Sequence, residues 1–154
     1  MLKIFNIKDK PEYIKEVAEL TQKEWGSKCK SEDEYKNKII KKINKIIDSF
    51  NNKYYCKLIL LDSNKLLGFI SIFEHDCDER KNLYPWYATM YVKESYRGKG
   101  YSRVLNDAIL KEARAKGITK IYLKTTLNNY YEKFGAKFLE VLENGEKIYY
   151  FELE

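Results

Sequence analysis

"MYVKESYRGKGYSRVL" (residues 90–105) holds the junction on which the fold turns. A strand over about 86–92 runs into a loop containing Gly98 and Gly100, and a helix follows from about Tyr101 to Lys116. Val104, Leu105, Ala108, Ile109 and Ala113 recur at helical spacing and form its inward face, with Gly117 at its C-terminal end. The first N–H groups of any helix lack intrahelical partners and carry partial positive charge. Gly98 and Gly100 remove the Cβ atoms that would hold a ligand off the backbone, and Arg97, Lys99 and Arg103 add cationic rims. Such a loop is suited to an anion, and a diphosphate fits it best.

Working outward, Leu2 to Ile7 alternates as a strand does, and Asp9 with Pro11 marks the start of a helix running to Trp25 and stopped by Gly26. Tyr13, Ile14, Val17, Ala18 and Thr21 share one face of that helix. Ser31 and Glu34 form a capping box ahead of a second helix over 32–49, with Tyr35, Ile39, Ile43, Ile46, Ile47 and Phe50 at helical spacing. From Tyr54 the period changes to two, and the run to His75 divides at Asp62-Ser63-Asn64 into two strands joined by a tight turn. Downstream of the glycine loop, residues 120–125 read as a strand and residues 128–135 as a short helix closed by Gly135. Two strands then flank Asn144-Gly145, a pair that favours a type I′ turn. The order β-α-α-β-β-β-α-β-α-β-β predicts an α/β fold, with a mixed, mostly antiparallel central sheet flanked by helices.

The 154 residues suffice for a single domain, and 44% of them are hydrophobic. No long apolar run or secretory signal occurs, so a cytoplasmic protein without a membrane partner is expected. Cys29, Cys56 and Cys77 follow no metal-ligand spacing and read as reduced thiols, and no metal is expected. The net charge of +6 invites nucleic acid, but the lysines are interspersed with 23 acidic residues. A solvated basic surface is the better account, with no nucleic-acid partner expected. Nothing in the sequence fixes the number of chains, and a homodimer is allowed for.

The loop fits neither common nucleotide pattern: no Gly-Lys-Ser or Gly-Lys-Thr exists, and Arg103 stands where a dinucleotide fingerprint needs its third glycine. Arg97-Gly98-Lys99-Gly100-Tyr101-Ser102 instead resembles the acetyl-CoA motif of the GNAT superfamily of N-acetyltransferases, Q/R-x-x-G-x-G/A, with Ser102 replacing the last small residue. "NNYYEKFGAKF" (residues 128–138) is similar to a later motif of the same superfamily, and the element order agrees from end to end. "FEHDCDERKNLYPWYATMYV" (residues 73–92) and "KEWG" (residues 23–26) resemble a narrower bacterial branch of it.

The resemblance implies an acyl-CoA N-acyltransferase fold over residues 1–154. It also implies transfer of an acetyl group from acetyl-CoA to a primary amine of a small molecule or peptide, by direct attack in a ternary complex. Under it, Met90, Tyr91 and Val92 would pair with the pantetheine arm, the loop from Arg97 to Arg103 would hold the pyrophosphate, and Asn128 or Asn129 would touch pantetheine unless they cap the short helix. Tyr131 takes the position of the superfamily's motif tyrosine and would be the acid that meets the departing thiolate. Glu74, His75 and Asp76 close a strand beside the expected acceptor cleft and are the candidate bases, against the plainer reading of turn and capping residues. Glu24 and Trp25 are candidates for the acceptor side, although Trp25 and Trp86 suit a core as well. A domain that binds acyl-CoA without turnover is the first alternative, and a basic nucleic-acid-binding domain the second.

Overall fold

The computed structural model describes residues 1–154. Its strands are β1 (Leu2–Asn6), β2 (Cys56–Asp62), β3 (Lys65–Phe73), β4 (Trp86–Val92), β5 (Lys120–Thr125), β6 (Lys137–Val141) and β7 (Lys147–Glu152). They form one seven-stranded sheet in the order β1-β2-β3-β4-β5-β7-β6. Every neighbouring pair is antiparallel except β4 and β5. Three α-helices cover it: α1 (Ile14–Trp25), α2 (Glu32–Ser49) and α3 (Tyr101–Ala115).

Both faces of the sheet are occupied. On one, α3 sets Leu105, Ile109 and Ala113 against Leu58, Leu60 and Ile70. On the other, Ile14 and Val17 of α1 and Ile46 of α2 pack on Ile59, Leu61 and Phe69. Each fully buried valine, leucine, isoleucine or phenylalanine among them contributes about 1.5–3 kcal/mol relative to exposure. Residues 56–61 are buried without a break, because β2 is covered from both sides. The alternation expected there is therefore lost from the burial, and Tyr54 and Tyr55 precede the strand.

The predicted helices and strands all form, with local differences. Residues 11–13 are a 3-10 turn leading into α1, and residues 131–134 are one 3-10 turn rather than a longer helix, closed by Gly135 at φ 98°. Ser31 Oγ accepts from the Glu34 N–H at 3.1 Å, but the Glu34 carboxylate accepts from the Lys30 N–H, so the capping box is shifted by one residue. The final hairpin is not type I′. Gly145 alone takes positive φ (89°), and its N–H donates to the Leu142 carbonyl at 2.9 Å, giving a type I turn with a glycine bulge. Ile47 and Val104 lie one position round from their helices' buried stripes and are exposed, and Tyr35, on the stripe of α2 but in its first turn, is exposed as well. Trp86 is fully buried, whereas Trp25, at the end of α1, is 49% exposed and meets Tyr91 edge-on at 6.1 Å.

Candidate functional site

β4 and β5 share a single register position, Trp86 opposite Tyr122, and separate beyond it. Parallel strands normally continue their ladder, so the divergence leaves the outer edge of β4 without a strand partner from Ala88 to Val92. On the β3 side, Phe69 pairs with Tyr91 and Ser71 with Ala88, so Thr89 and Met90 together oppose one residue, a β-bulge. Thr89 sits at φ 51°, a conformation costing a β-branched residue of order 1–3 kcal/mol. Gly68 accommodates the close approach here, because a Cβ at that position would collide with the Tyr91 carbonyl oxygen.

A cavity of about 660 Å³ opens where the strands part. Met90, Tyr91 and Val92 form its strand wall, and Arg97, Gly98, Gly100, Tyr101 and Ser102 its loop wall. Tyr131 stands in the same cavity, and so does Glu24 from the end of α1. Tyr96, Leu127, Tyr130 and Lys133 complete it; periodicity does not single these out, although Tyr130 and Lys133 fall inside the 128–138 motif. Gly98 and Gly100 take φ of 79° and 84°, and a Cβ on either would point into open space. No side chain caps α3, so the N–H groups of its first turn remain available to a ligand. This cradle fits a linked phosphate pair approached through backbone donors.

The basic side chains are less uniform than their spacing suggests. Arg97 donates through Nε to the Val92 carbonyl at 2.7 Å and covers the Tyr91 ring, so that carbonyl already has a partner. Lys99 lies over Tyr96, and Arg103 stacks on Phe134 at 4.8 Å and donates to the Lys133 carbonyl. Lys99 and Arg103 do not line the cavity.

Tyr131 packs edge-on against Tyr87 and Tyr130, at 5.8 and 4.8 Å between ring centroids. Burial, reinforced by Tyr130, pushes its phenol up to about 12, so it holds its proton at neutral pH and serves as a hydrogen-bond donor. Tyr87, deeper still, is pushed well up by burial and donates to Asn106 Oδ1 at 2.7 Å, tying β4 to α3.

The other candidates stand apart from this cavity. Glu74 accepts from Asn52 Nδ2 at 2.9 Å, and the exposed His75 ring lies 5.6 Å from Tyr84. Burial raises the Asp76 carboxyl above its ordinary range, with Lys124 and Lys45 opposing. None of the three lines the cleft. Asn128 and Asn129 border a separate cavity of about 420 Å³ beside Glu132 and Tyr149, and neither side chain caps the 3-10 turn. No group of three or more His, Cys, Asp or Glu side chains is placed to hold a metal ion. Cys56 and Cys77 are buried free thiols, and Cys29 is half-buried. No helix is long and apolar enough to cross a membrane.

The sequence pattern of the acetyltransferase (GNAT) family matches residues 14–136. The spermine/spermidine N(1)-acetyltransferase of Bacillus subtilis (strain 168) is 30% identical over 104 residues, covering 62% of this chain and 68% of that one. Among solved structures, an N-acetyltransferase from Staphylococcus aureus Mu50 superposes with a TM-score of 0.75 at 17% identity, covering 100% of this chain and 99% of the other. The paia N-acetyltransferase from Thermoplasma acidophilum, in complex with coenzyme A, superposes at 0.65 with 23% identity, covering 99% of each chain.

Proposed function

The chain belongs to the acetyltransferase (GNAT) family, and we propose that it moves an acetyl group from acetyl-CoA to a primary amine of a small molecule or peptide, by direct attack with both substrates bound. One observation carries the reading: the unpaired edge of β4, the glycine loop and Tyr131 all face a single cavity at the parting of β4 and β5.

Acetyl-CoA supplies the activated acyl group as a thioester. The backbone donors at Gly98, Gly100 and the first turn of α3 bind its pyrophosphate, and the open edge of Met90 to Val92 receives the pantetheine amides as an added strand. Because Arg97 occupies the Val92 carbonyl, N–H groups of β4 are the freer partners. A main-chain N–H near the bulge faces the thioester oxygen and stabilises the charge that develops there. Tyr131 donates a hydrogen bond to the departing sulfur. With its phenol near 12, full transfer of its proton to a thiolate is uphill, so solvent completes that protonation.

On the acceptor side, Glu24 offers a carboxylate to a second ammonium, and the exposed Trp25 ring offers an apolar wall. The Bacillus subtilis relative is named for spermine and spermidine, so spermidine heads the amines to be tried. Glu74, His75 and Asp76 remain a water-mediated route for the base.

The test is release of free thiol from acetyl-CoA against a panel of amines, corrected for protein thiols in a reaction without amine. Amine-dependent release supports the reading; binding of acetyl-CoA without release on any amine favours an acyl-CoA-binding domain. Tyr131→Phe is expected to bind CoA within about twofold of wild type and to turn over about 10–100-fold more slowly, at or below the lower range for a lost proton-handling group. Turnover at the wild-type rate withdraws Tyr131 from the chemistry.

A further inference from the structure

Lys57, the second residue of β2, projects into the layer beneath α2 and is 3% exposed. None of the chain's ion pairs includes it. Its Nζ lies 2.5 Å from Ser71 Oγ, and Thr89 Oγ1 lies 2.8 Å from the same oxygen. The register explains the contact: Lys57 faces Ser71 across β2 and β3, and Ser71 faces Ala88 across β3 and β4. The extra residue of the bulge brings the next side chain, Thr89, to the same oxygen. A line of three polar groups therefore crosses three strands and ends at the half-buried Thr89, which does not itself line the cleft but directly precedes Met90 in its wall.

A structural lysine does not suit this place. An ammonium carries three N–H donors, and Ser71 takes one. The Phe69 and Phe73 rings, 5.1 and 5.6 Å away, give the charged form limited compensation. A methionine would fill the volume without an uncompensated buried charge. A neutral amine, by contrast, has a lone pair that the Ser71 hydroxyl can face.

We propose that Lys57 is the proton acceptor for the attacking amine, reached from the cleft through a water and the hydroxyls of Thr89 and Ser71. The inference rests on the acetyl-transfer reading above. As the amine nitrogen bonds to the thioester carbon, its N–H proton passes to a water, a proton of that water to Thr89 Oγ1, the Thr89 proton to Ser71 Oγ, and the Ser71 proton to the Lys57 lone pair. The C–S bond breaks with its electron pair on sulfur, and the thiolate takes a proton from solvent. Lys57 returns its proton by the reverse path when product leaves, so hydroxyls and lysine end as they began. Burial lowers the Lys57 ammonium to about 7, with Lys45 of α2 acting in the same direction and Cys56 opposing; β3 presents only Phe69, Ser71 and Phe73. A group poised there is neutral above pH 7 and suited to accept a proton near neutrality.

The experiment is the pH dependence of kcat with acetyl-CoA and spermidine, or the panel amine that turns over fastest, in wild type, Lys57→Met, Thr89→Val and the double variant. CoA affinity is measured alongside. Wild-type kcat is expected to fall tenfold per unit below about pH 7. In Lys57→Met the plateau falls about 30–100-fold, the midpoint near 7 disappears, and the profile follows the amine's own ionisation. Thr89→Val behaves in the same way, the double variant is no worse than either single one, and Thr89→Ser restores most of what Thr89→Val loses. CoA affinity stays within about threefold throughout, as expected for groups that carry the acceptor's proton and do not line the cleft. Should Lys57→Met fail to fold, Ser71→Ala and Thr89→Val carry the same comparison. An unchanged midpoint in the variants overturns the relay, as does its loss in Asp76→Asn instead. A wild-type protein that acetylates no amine overturns the acetyl-transfer reading itself, which is a distinct result.

Discussion

Gly100→Val is expected to raise the dissociation constant for acetyl-CoA at least 100-fold, and in titration calorimetry to leave no measurable heat at micromolar protein. Two effects add. Gly100 has φ 84° at the N-cap of α3, and a β-branched residue there is strained by about 1–2 kcal/mol. The variant relieves that strain by moving the loop, which misaims the N–H groups of the first turn. A valine side chain that stays in place projects into the space a Cβ finds open, where the phosphates approach. Loss of two or three charge-assisted hydrogen bonds at about 1.5–3 kcal/mol each accounts for the magnitude. The fold should survive, because a Cβ at this position meets no protein within 4 Å. Wild-type affinity in a variant that melts normally would remove the glycine loop from the binding site.

The second large effect is on stability. Urea denaturation is expected to show stability rising by about 2–3 kcal/mol between pH 7 and 9, at up to 1.36 kcal/mol per unit. The sign follows from Lys57. Its folded-state value is lowered from 10.5 to about 7, so between those limits the unfolded chain holds a proton that the folded chain lacks, and raising the pH favours folding. Below pH 7 both states are charged and the cost of burial is present in full. Above about pH 9 the rise levels off, because burial raises the Cys56 thiol from 9.0 to about 11, so the unfolded state loses that proton first and offsets the gain from Lys57. Lys57→Met should abolish the rise and be more stable than wild type at pH 7 by about 1–4 kcal/mol. Activity and stability then move in opposite directions in one variant. A flat wild-type profile between pH 7 and 9 would mean that Lys57 is solvated in the folded protein.

The glycine loop and the helix behind it were legible because their chemistry is local: positive φ, a helix mouth and an apolar stripe all lie within residues 90–117. The motif at 128–138 marked Tyr131 for the same reason. What escaped depends on register. Lys57 occupies an inward position of β2, in step with Ile59 and Leu61, and that mismatch between a charged residue and an apolar face was the available signal. Ser71 and Thr89 carried none, since their meeting depends on a bulge that no local pattern fixes. Trp25 was misleading because large aromatic residues usually fill cores, whereas the position of α1's last turn leaves this one at the surface. Glu74, His75 and Asp76 lie near the cleft in sequence order but not on its wall, because β4 separates from β5 further along its length.

The lone Trp86–Tyr122 pairing also makes the sheet behave as two leaves on one pivot, β1 to β4 and β5 to β6, with Cys77, Trp86, Leu142 and Ile148 packed around the joint. The missing ladder between the leaves is the one that a strand-like ligand arm would complete. Occupancy therefore fastens two cooperative blocks into one, and amides of β5 and β7 gain exchange protection although they lie outside the nucleotide cradle.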